Sequence, residues 1–130
     1  RLTGGKGLHV FAPFAPGPGW AQVKTLCETL AHELAQAQPD TYVATAAKEK
    51  REGRIFIDWL RNTRGATSIA NWSLRARDGA PVAVPLRWDE LGASRGGNDY
   101  TLASALKRAA QLREDAWRHL DFGQPFPGAR

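Results

Sequence analysis

Apolar residues recur at helical spacing in two stretches of the chain, and both stretches follow residues that favour a helix start. The first stretch follows a loop rich in proline and glycine, residues 13–19, and runs up to Pro39. The second follows Thr101, whose hydroxyl can cap a helix N-terminus. We therefore predict two amphipathic helices. Their expected buried stripes comprise Trp20, Val23, Cys27, Leu30 and Leu34 in the first helix, and Leu102, Leu106, Ala109, Ala116 or Trp117, and Leu120 in the second.

Runs of β-prone residues between these helices indicate strands. The clearest is residues 54–60, which read Arg-Ile-Phe-Ile-Asp-Trp-Leu. Residues 67–77 and 81–88 predict two more strands across a tight turn, and Pro81 and Pro85 favour an edge position for the latter. Two main helices packed on an antiparallel sheet make an α+β fold.

Composition narrows the class of protein. Hydrophobic residues make up 42% of the 130 positions and charged residues 24%, which predicts one folded domain and excludes a disordered chain. The net charge of +5 favours anionic partners such as nucleic acid or nucleotide phosphates, although a basic surface without a partner has the same charge. Because Cys27 is the only cysteine, an intrachain disulfide is excluded. No apolar run approaches the ~20 residues of a membrane span, so we expect no membrane partner and a cytoplasmic location.

Asp58 is the most informative single residue. It lies within an apolar strand, where a carboxylate needs a cation, a metal ion or water. On the following strand, Ser73, Arg75 and Arg77 share one face by alternation. If the two strands pair, Asp58 lies close to Arg75. A structural ion pair and a functional site are both compatible with that arrangement.

The glycine-rich run from Thr3 to Gly7 is the second candidate. Consecutive glycines leave backbone N–H groups free to point at an anion, while Lys6 adds a mobile charge and Thr3 a hydroxyl. These are the parts of a phosphate-binding loop, although the spacing is not that of a P-loop. A flexible turn without a ligand would have the same composition.

Taken together, these segments resemble one known family, the polymerase domain of bacterial DNA ligase D. The resemblance covers the chain through about Phe122, so we expect the domain over residues 1–122 and a C-terminal tail over residues 123–130. The order and spacing of the segments match that family as well. The segments are Thr3 to Val10, Gly53 to Asn62, Trp72 to Arg77 and Ala80 to Leu91.

The resemblance implies a primase-polymerase fold of the archaeal and eukaryotic primase superfamily, whose members add nucleotides to broken DNA ends in non-homologous end joining. It implies that Asp58 is a catalytic carboxylate that binds a divalent metal ion, Mn²⁺ or Mg²⁺. It also implies in-line attack of a primer 3′ hydroxyl on the α-phosphate, assisted by two metal ions. The positions implied to surround the nucleotide triphosphate are Thr3, where most relatives have serine, Lys6, His9, Arg61 and Arg75.

One departure from the family pattern limits the expected activity. Family members carry two further carboxylates in an Asp-x-Asp motif upstream of the glycine-rich loop, and this sequence contains neither Asp-x-Asp nor Asp-x-Glu. A lone Asp58 cannot hold two divalent ions against water. We therefore expect the chain to be the C-terminal portion of the domain, to be inactive alone, and to bind no metal stably without the rest of the domain.

Three interpretations make different predictions about partners. A polymerase fragment would engage DNA ends, nucleoside triphosphates, the missing N-terminal half of the domain and an adjoining ligase domain, at the bacterial nucleoid. A noncatalytic nucleic-acid-binding module would stack bases on Trp59 or Trp72 of a basic sheet face. An apolar face normally covered by the N-terminal half would instead favour self-association.

Overall fold

The structure is a computed structural model, and it describes residues 1–118, 120 and 123–127. The chain divides into two compact units. The first unit combines Arg1–Pro16 with the described chain from Ser68 onward, and the second unit is Gly17–Thr67.

The second unit begins with helix α1, Trp20–Ala37, which confirms the first predicted helix. The Gly19 N–H donates a hydrogen bond to Gln22 Oε1 (2.8 Å), and this side chain satisfies a donor at the helix start. The predicted apolar stripe is only partly covered. Ala31 is the buried residue of α1, whereas Trp20 keeps 59% of its surface exposed and Cys27 is half-buried.

The sheet of the second unit consists of strands β1, Tyr42–Val43, and β2, Ile55–Phe56. Of the predicted strand over residues 54–60, regular strand structure is limited to β2. The two strands pair in parallel, with Tyr42 opposite Ile55 and Val43 opposite Phe56. A parallel pair needs a crossover connection of about a dozen residues, and the chain between β1 and β2, which contains the 3-10 helix Lys48–Lys50, is long enough to supply it.

Antiparallel pairing occurs in the first unit, as isolated bridges between short extended segments. Leu2 bridges both Leu8 and Val84, and Leu74 bridges Val82. Val82 and Val84 form a buried cluster with Ala105. Helices and short strands together confirm the predicted α+β class.

The segment Pro81–Pro85 lies inside the first unit, so the predicted edge position is wrong. All five of its residues are buried. On one side, the Arg75 N–H donates to the Pro81 carbonyl (2.8 Å); on the other, Val84 and Leu2 exchange backbone hydrogen bonds of 3.0 and 3.1 Å. The prolines are tolerated because they contribute carbonyl acceptors, and the residues between them supply the donors.

Helix α2, Leu102–Gln111, confirms the second predicted helix and its Thr101 cap. Thr101 Oγ1 accepts from the Ser104 N–H, and Ser104 Oγ accepts from the Thr101 N–H (2.9 Å). The predicted stripe is wrong, because Ala105 is buried while Leu102 and Leu106 are exposed. A 3-10 helix, Trp88–Ala93, precedes α2.

The helix also ends at Gln111, before Ala116, Trp117 and Leu120. The predicted domain end at Phe122 lies outside the described residues. Of the predicted tail, Gln124 pairs with Phe14, and the Phe126 ring lies 5.1 Å from the Phe14 ring.

Candidate functional site

The glycine-rich run of the first unit forms a closed loop. The Thr3 hydroxyl donates to the Gly7 carbonyl (2.7 Å) and accepts from the Gly5 N–H (3.2 Å), and the Thr3 N–H also donates to Gly7 (3.2 Å). The Gly4 N–H donates to the Gly97 carbonyl (2.8 Å). The expectation that the glycine N–H groups are all free is therefore wrong for Gly4 and Gly5, because segments closing the loop already use these donors.

Gly97 is a part of this loop region that the sequence reasoning missed. A Cβ atom at this position would lie 2.7 Å from Gly7 N and 2.8 Å from Gly5 O, and it would also clash with the Gly7 carbonyl oxygen. Only glycine allows such a close approach between two backbones. The Gly96-Gly97 pair in the polar loop before α2 was the available signal, since paired glycines mark loops and glycine permits a close backbone approach.

Arg75 lies across the glycine-rich loop. A Cβ atom built on Gly4, whose φ is +66°, would meet Arg75 Cγ at 2.7 Å, and one on Gly5 would lie 3.6 Å from Arg75 Nη2. Lys6 is exposed on the same loop. The first unit thus brings together three predicted site residues, Thr3, Lys6 and Arg75, and places a cationic side chain over the loop backbone.

His9 follows the loop and contacts an arginine that the sequence reasoning did not single out. Its Nδ1 atom lies 2.9 Å from Arg1 Nη2 and 3.4 Å from Ser68 Oγ. The Arg1 guanidinium also donates to Asn71 Oδ1 (3.0 Å) and to Ser68 Oγ (2.8 Å). It lies 4.6 Å from the centre of the Phe11 ring, and burial lowers the pKa of Arg1.

The remaining predicted site residues, Asp58 and Arg61, belong to the second unit. Arg61 Nε lies 3.3 Å from Asp58 Oδ2, and the two side chains are 71% and 40% exposed, respectively. The hypothesis that Asp58 pairs with Arg75 depended on pairing between their strands. Instead β2 pairs with β1, Leu74 bridges Val82, and the ion pair of Asp58 is formed three residues along the chain.

The residues around Asp58 do not fit a metal site by themselves. Among the residues that the structure describes, no group of three or more His, Cys, Asp or Glu side chains is placed to hold a metal ion. The cation facing Asp58 is the Arg61 guanidinium. A divalent ion needs several oxygen ligands in addition to water, so a second source of carboxylates is required.

The two tryptophans of the alternative interpretation differ in availability. Trp59 donates its indole N–H to the Ala44 carbonyl (3.0 Å), and Lys24 Nζ lies 5.8 Å from its ring centre. Trp72 is 39% exposed and has φ of +64°, an uncommon conformation for a bulky residue. Trp72 is thus the better candidate for stacking on a base.

A cavity of about 700 Å³ lies in the first unit, between the 3-10 helix Trp88–Ala93 and α2. Its lining contains Arg87, Glu90, Tyr100 and Arg108 but none of the predicted site residues. Arg108 makes a bidentate pair with Glu90, with Nη–Oε distances of 2.7 and 2.9 Å. This pair lowers the pKa of Glu90 and raises that of Arg108. The cavity wall therefore contains a structural ion pair.

Comparison with known proteins agrees with the resemblance in the sequence. The family model described as LigD, primase-polymerase domain, matches residues 1–117. The multifunctional non-homologous end joining protein LigD of Pseudomonas aeruginosa is 38% identical over 118 residues, which cover 90% of this chain and 14% of that protein. The protein of the same name from Mycolicibacterium smegmatis is 40% identical over 89 residues, covering 68% of this chain and 12% of that protein.

A solved structure is also similar, the polymerase domain from Mycobacterium tuberculosis ligase D in complex with DNA. It has a TM-score of 0.71 and 30% sequence identity, and the match covers 85% of this chain and 38% of that one. The chain therefore spans a small part of its curated relatives. None of the described helices has the length and apolar character to cross a membrane.

Proposed function

The chain belongs to the LigD primase-polymerase domain family, and we propose that it supplies the nucleotide triphosphate-binding part of such a domain in the repair of DNA ends by non-homologous end joining. The relatives are named as non-homologous end joining proteins, and the similar solved domain is described in complex with DNA. DNA ends and nucleoside triphosphates are the proposed ligands, and the bacterial nucleoid is the proposed location.

The observation that carries this proposal is the contact between Arg75 and the glycine-rich loop. The Arg75 side chain lies over Gly4 and Gly5, and Lys6 extends from the same loop into solvent. Two cations beside this loop suit a triphosphate, because phosphoryl transfer depends on positioning and on neutralising negative charge. A flexible turn without a ligand would not require an arginine across it.

Each residue has a distinct role in this proposal. Arg75 and Lys6 hold the triphosphate and neutralise the charge that develops as pyrophosphate leaves. His9 donates a hydrogen bond to a phosphate oxygen. The Thr3 hydroxyl keeps the loop closed, as its bonds to Gly5 and Gly7 indicate. Arg61 is a further predicted triphosphate contact.

Asp58 is proposed as a metal-binding carboxylate of the complete domain. When bound, Mn²⁺ or Mg²⁺ would neutralise phosphate charge and activate the attacking primer 3′ hydroxyl. Because the described residues around Asp58 do not fit a metal site alone, we propose that this chain does not catalyse nucleotide transfer without further carboxylates. The enzyme activity therefore belongs to the assembled domain.

Primer extension tests the first part of this proposal. The chain and its Asp58→Ala variant are incubated with a DNA primer-template, Mn²⁺ and nucleoside triphosphates, and neither is expected to extend the primer. Extension by the chain that disappears in Asp58→Ala would show a complete metal site and overturn the proposed inactivity.

Nucleotide binding tests the second part. We expect the chain to bind nucleoside triphosphate, and the Lys6→Ala and Arg75→Ala variants to bind about 10-fold more weakly, since each removes a charge-assisted contact worth about 1.5 kcal/mol. Arg113→Ala, an exposed arginine outside the loop, is the matched control. If all three variants lost the same affinity for triphosphate, the lower net charge alone would explain the loss. That result would contradict a triphosphate site at the loop.

A second candidate function is a noncatalytic nucleic-acid-binding module, and the exposure of Trp72 favours it. Such a module predicts DNA binding that weakens with salt and ignores nucleoside triphosphate. Binding of single-stranded DNA by the chain and by Trp72→Ala, each with and without triphosphate, separates the two functions. A loss of affinity in Trp72→Ala that triphosphate leaves unchanged would support the module.

The exposed apolar residues on the two helices are candidate contact surfaces for another protein chain. Trp20 on α1 and Leu106 on α2 keep 59% and 62% of their surfaces accessible. We propose that such faces contact the N-terminal half of a polymerase domain, or a second copy of the chain when that half is absent. Light scattering over a wide concentration range tests self-association, and a constant monomer mass contradicts it.

A further inference from the structure

Trp72 occupies a turn position that is unfavourable for a bulky residue. The Ser73 N–H donates to the Ala70 carbonyl (3.4 Å), which closes a four-residue turn with Trp72 at its third position. The φ of Trp72 is +64°, in the left-handed region that glycine or asparagine adopts at such a position. Because a Cβ atom in this conformation crowds the backbone, a tryptophan here makes the turn less stable than a glycine would.

Backbone and side-chain bonds hold the turn on both sides. The Trp72 N–H donates to the Ala83 carbonyl (2.7 Å), and the Ala83 N–H donates to the Ser73 carbonyl (2.9 Å). Asn71 Oδ1 accepts from Arg1 Nη1 (3.0 Å). None of these bonds uses the indole of Trp72. A strained residue persists where its surroundings fix the backbone, and such residues are concentrated at ligand sites.

The indole of Trp72 has room for a ligand. Its residue is 39% exposed, and within the described part of the chain the Trp72 side chain makes no hydrogen bond or ring contact. Trp117, by contrast, lies 4.6 Å from the Phe11 ring. A cavity of about 320 Å³ adjoins Trp72, and Ala109 and Leu112 form its apolar wall. The structure therefore places one face of an available aromatic ring beside an open cavity.

The charges of this cavity indicate the chemistry of its ligand. Arg113, Glu114 and Asp115 complete the lining, so two carboxylates oppose one guanidinium and a phosphate group is disfavoured. A planar, uncharged group with polar edges suits such a wall. The volume is at the low end of the range for small-ligand sites, which suits a single ring system. Nucleobases have these properties, and they stack on exposed aromatic side chains.

We propose that Trp72 and the adjoining cavity form a site for one unpaired nucleobase of a DNA strand. The base stacks on the indole and contacts Ala109 and Leu112, and the left-handed turn is the means by which the indole is presented. This inference rests on the proposed function for its choice of DNA as the partner. It does not depend on triphosphate binding at the glycine-rich loop.

DNA binding by a set of Trp72 variants tests the site. Fluorescence polarisation measures the affinity for a labelled single-stranded oligonucleotide. We expect Trp72→Ala and Trp72→Gly to bind about 10-fold more weakly and Trp72→Tyr, which keeps a ring, to stay within about 3-fold. Trp88→Ala is the matched control, because Trp88 is 76% exposed in the same unit but does not line this cavity, and it should bind normally. Equal losses in Trp72→Ala and Trp88→Ala would contradict the site.

An abasic strand of the same length separates contacts to bases from contacts to phosphates. The unsubstituted chain should bind it about as weakly as Trp72→Ala binds the natural strand, and Trp72→Ala should cause no further loss. A 10-fold further loss would place the indole on the DNA backbone and overturn the base site, as would a chain that binds no single-stranded DNA. A chain that shows the expected DNA binding but binds no triphosphate would refute the proposed function and leave the base site standing.

Thermal unfolding tests the strain at the turn. Glycine adopts the left-handed conformation freely, so Trp72→Gly should unfold at a temperature no lower than the unsubstituted chain and higher than Trp72→Ala. This order would also show that the variants lose DNA affinity while folded. If Trp72→Gly unfolded at a clearly lower temperature than both the unsubstituted chain and Trp88→Ala, the indole would be required for packing. That result would overturn the proposal.

Discussion

One arginine–carboxylate pair of the first unit and one of the second are held in different ways. Arg108 and Glu90 lie in different elements of the first unit, and their side chains are only 13% and 20% exposed. Arg61 and Asp58 of the second unit are three residues apart and are 71% and 40% exposed. A largely buried bidentate pair fixes the packing of two elements, whereas an exposed pair between sequence neighbours leaves the carboxylate accessible to another ligand.

The same contrast extends to backbone contacts. In the first unit, the glycine-rich loop is closed by Gly97, more than eighty residues along the chain. In the second unit, the bonds of the segment after β2 span shorter distances along the chain, since the Asn62 N–H donates to the Trp59 carbonyl (3.2 Å) and the Trp59 indole N–H to the Ala44 carbonyl (3.0 Å). We therefore expect substitutions in the first unit to change stability more than equivalent substitutions around Asp58.

The largest effect is expected for Gly97→Ala. Its methyl group would overlap the backbone of Gly5 and Gly7, and relieving that overlap requires the loop to open. We expect a loss of about 3 kcal/mol in the free energy of unfolding. Urea denaturation followed by tryptophan fluorescence measures the change. Gly92→Ala, where a Cβ atom meets nothing within 4 Å, is the control and should stay within about 0.5 kcal/mol.

Removing Glu90 should have the next largest effect. Glu90→Ala leaves Arg108 largely buried without its carboxylate partner, and we expect a loss of about 2 kcal/mol. The same denaturation experiment measures it, with Asp89→Ala as the exposed neighbouring control. Equal losses in both variants would contradict the view that burial distinguishes these carboxylates.

The Glu90 pair also predicts a pH dependence with a definite sign. The hydrogen bond from Arg108 lowers the pKa of Glu90 from its ordinary value of 4.5. The stabilisation is therefore present above pH 4.5 and is lost as the pH falls through the lower pKa of the folded state. Glu90→Gln should be less stable at neutral pH and should show a shallower loss of stability below pH 4.5. If the stability of the unsubstituted chain and that of Glu90→Gln fell in parallel with pH, protonation of Glu90 would not be linked to unfolding.

Thr3 should give a smaller effect. Thr3→Val keeps the shape and removes the hydroxyl that bonds Gly7 and Gly5, so we expect a loss of about 1 kcal/mol. Thr3→Ser keeps the hydroxyl and should cost less than half of that. Thermal unfolding of the two variants compares them, and a larger loss in Thr3→Ser would show that the methyl group matters more than the hydrogen bonds.

The smallest effect is expected for Asp58→Asn. An exposed pair contributes little, so the free energy of unfolding should change by less than about 0.5 kcal/mol. A loss above about 1 kcal/mol in the free energy of unfolding would show that Asp58 has a structural role. The Asp58–Arg61 pair would then not differ from the Glu90–Arg108 pair in its contribution to stability. Denaturation of Arg61→Gln provides the reciprocal measurement.

Local signals in the sequence predicted where both helices begin. Helical spacing located α1, and the Thr101 hydroxyl marked the start of α2, because both depend on residues within a few positions. Features that depend on distant segments were wrong. Pro81 and Pro85 suggested an edge, and the sequence did not reveal that Leu2 and Arg75 would pair on either side of this segment.

The candidate site shows the same limit on local reasoning. The composition of the glycine-rich loop and its lysine indicated an anion-binding loop, and the structure adds Arg75 across it. Gly97 and Arg1 escaped notice because their contacts join segments far apart in the sequence. The roles of Thr3, Lys6, His9, Asp58, Arg61 and Arg75 stay predictions that the binding experiments decide.

The half-buried Cys27 on α1 gives the chain an internal reporter of access to this helix face. Burial raises the pKa of its thiol, and a protonated thiol reacts slowly with alkylating reagents. Because Cys27 is the only cysteine, the rate at which such a reagent labels the chain reports the thiolate fraction of Cys27 and the access to this face of α1. A partner that covers α1 would slow the labelling. The alkylation rate of the native cysteine would therefore detect docking on this helix, and no cysteine has to be introduced.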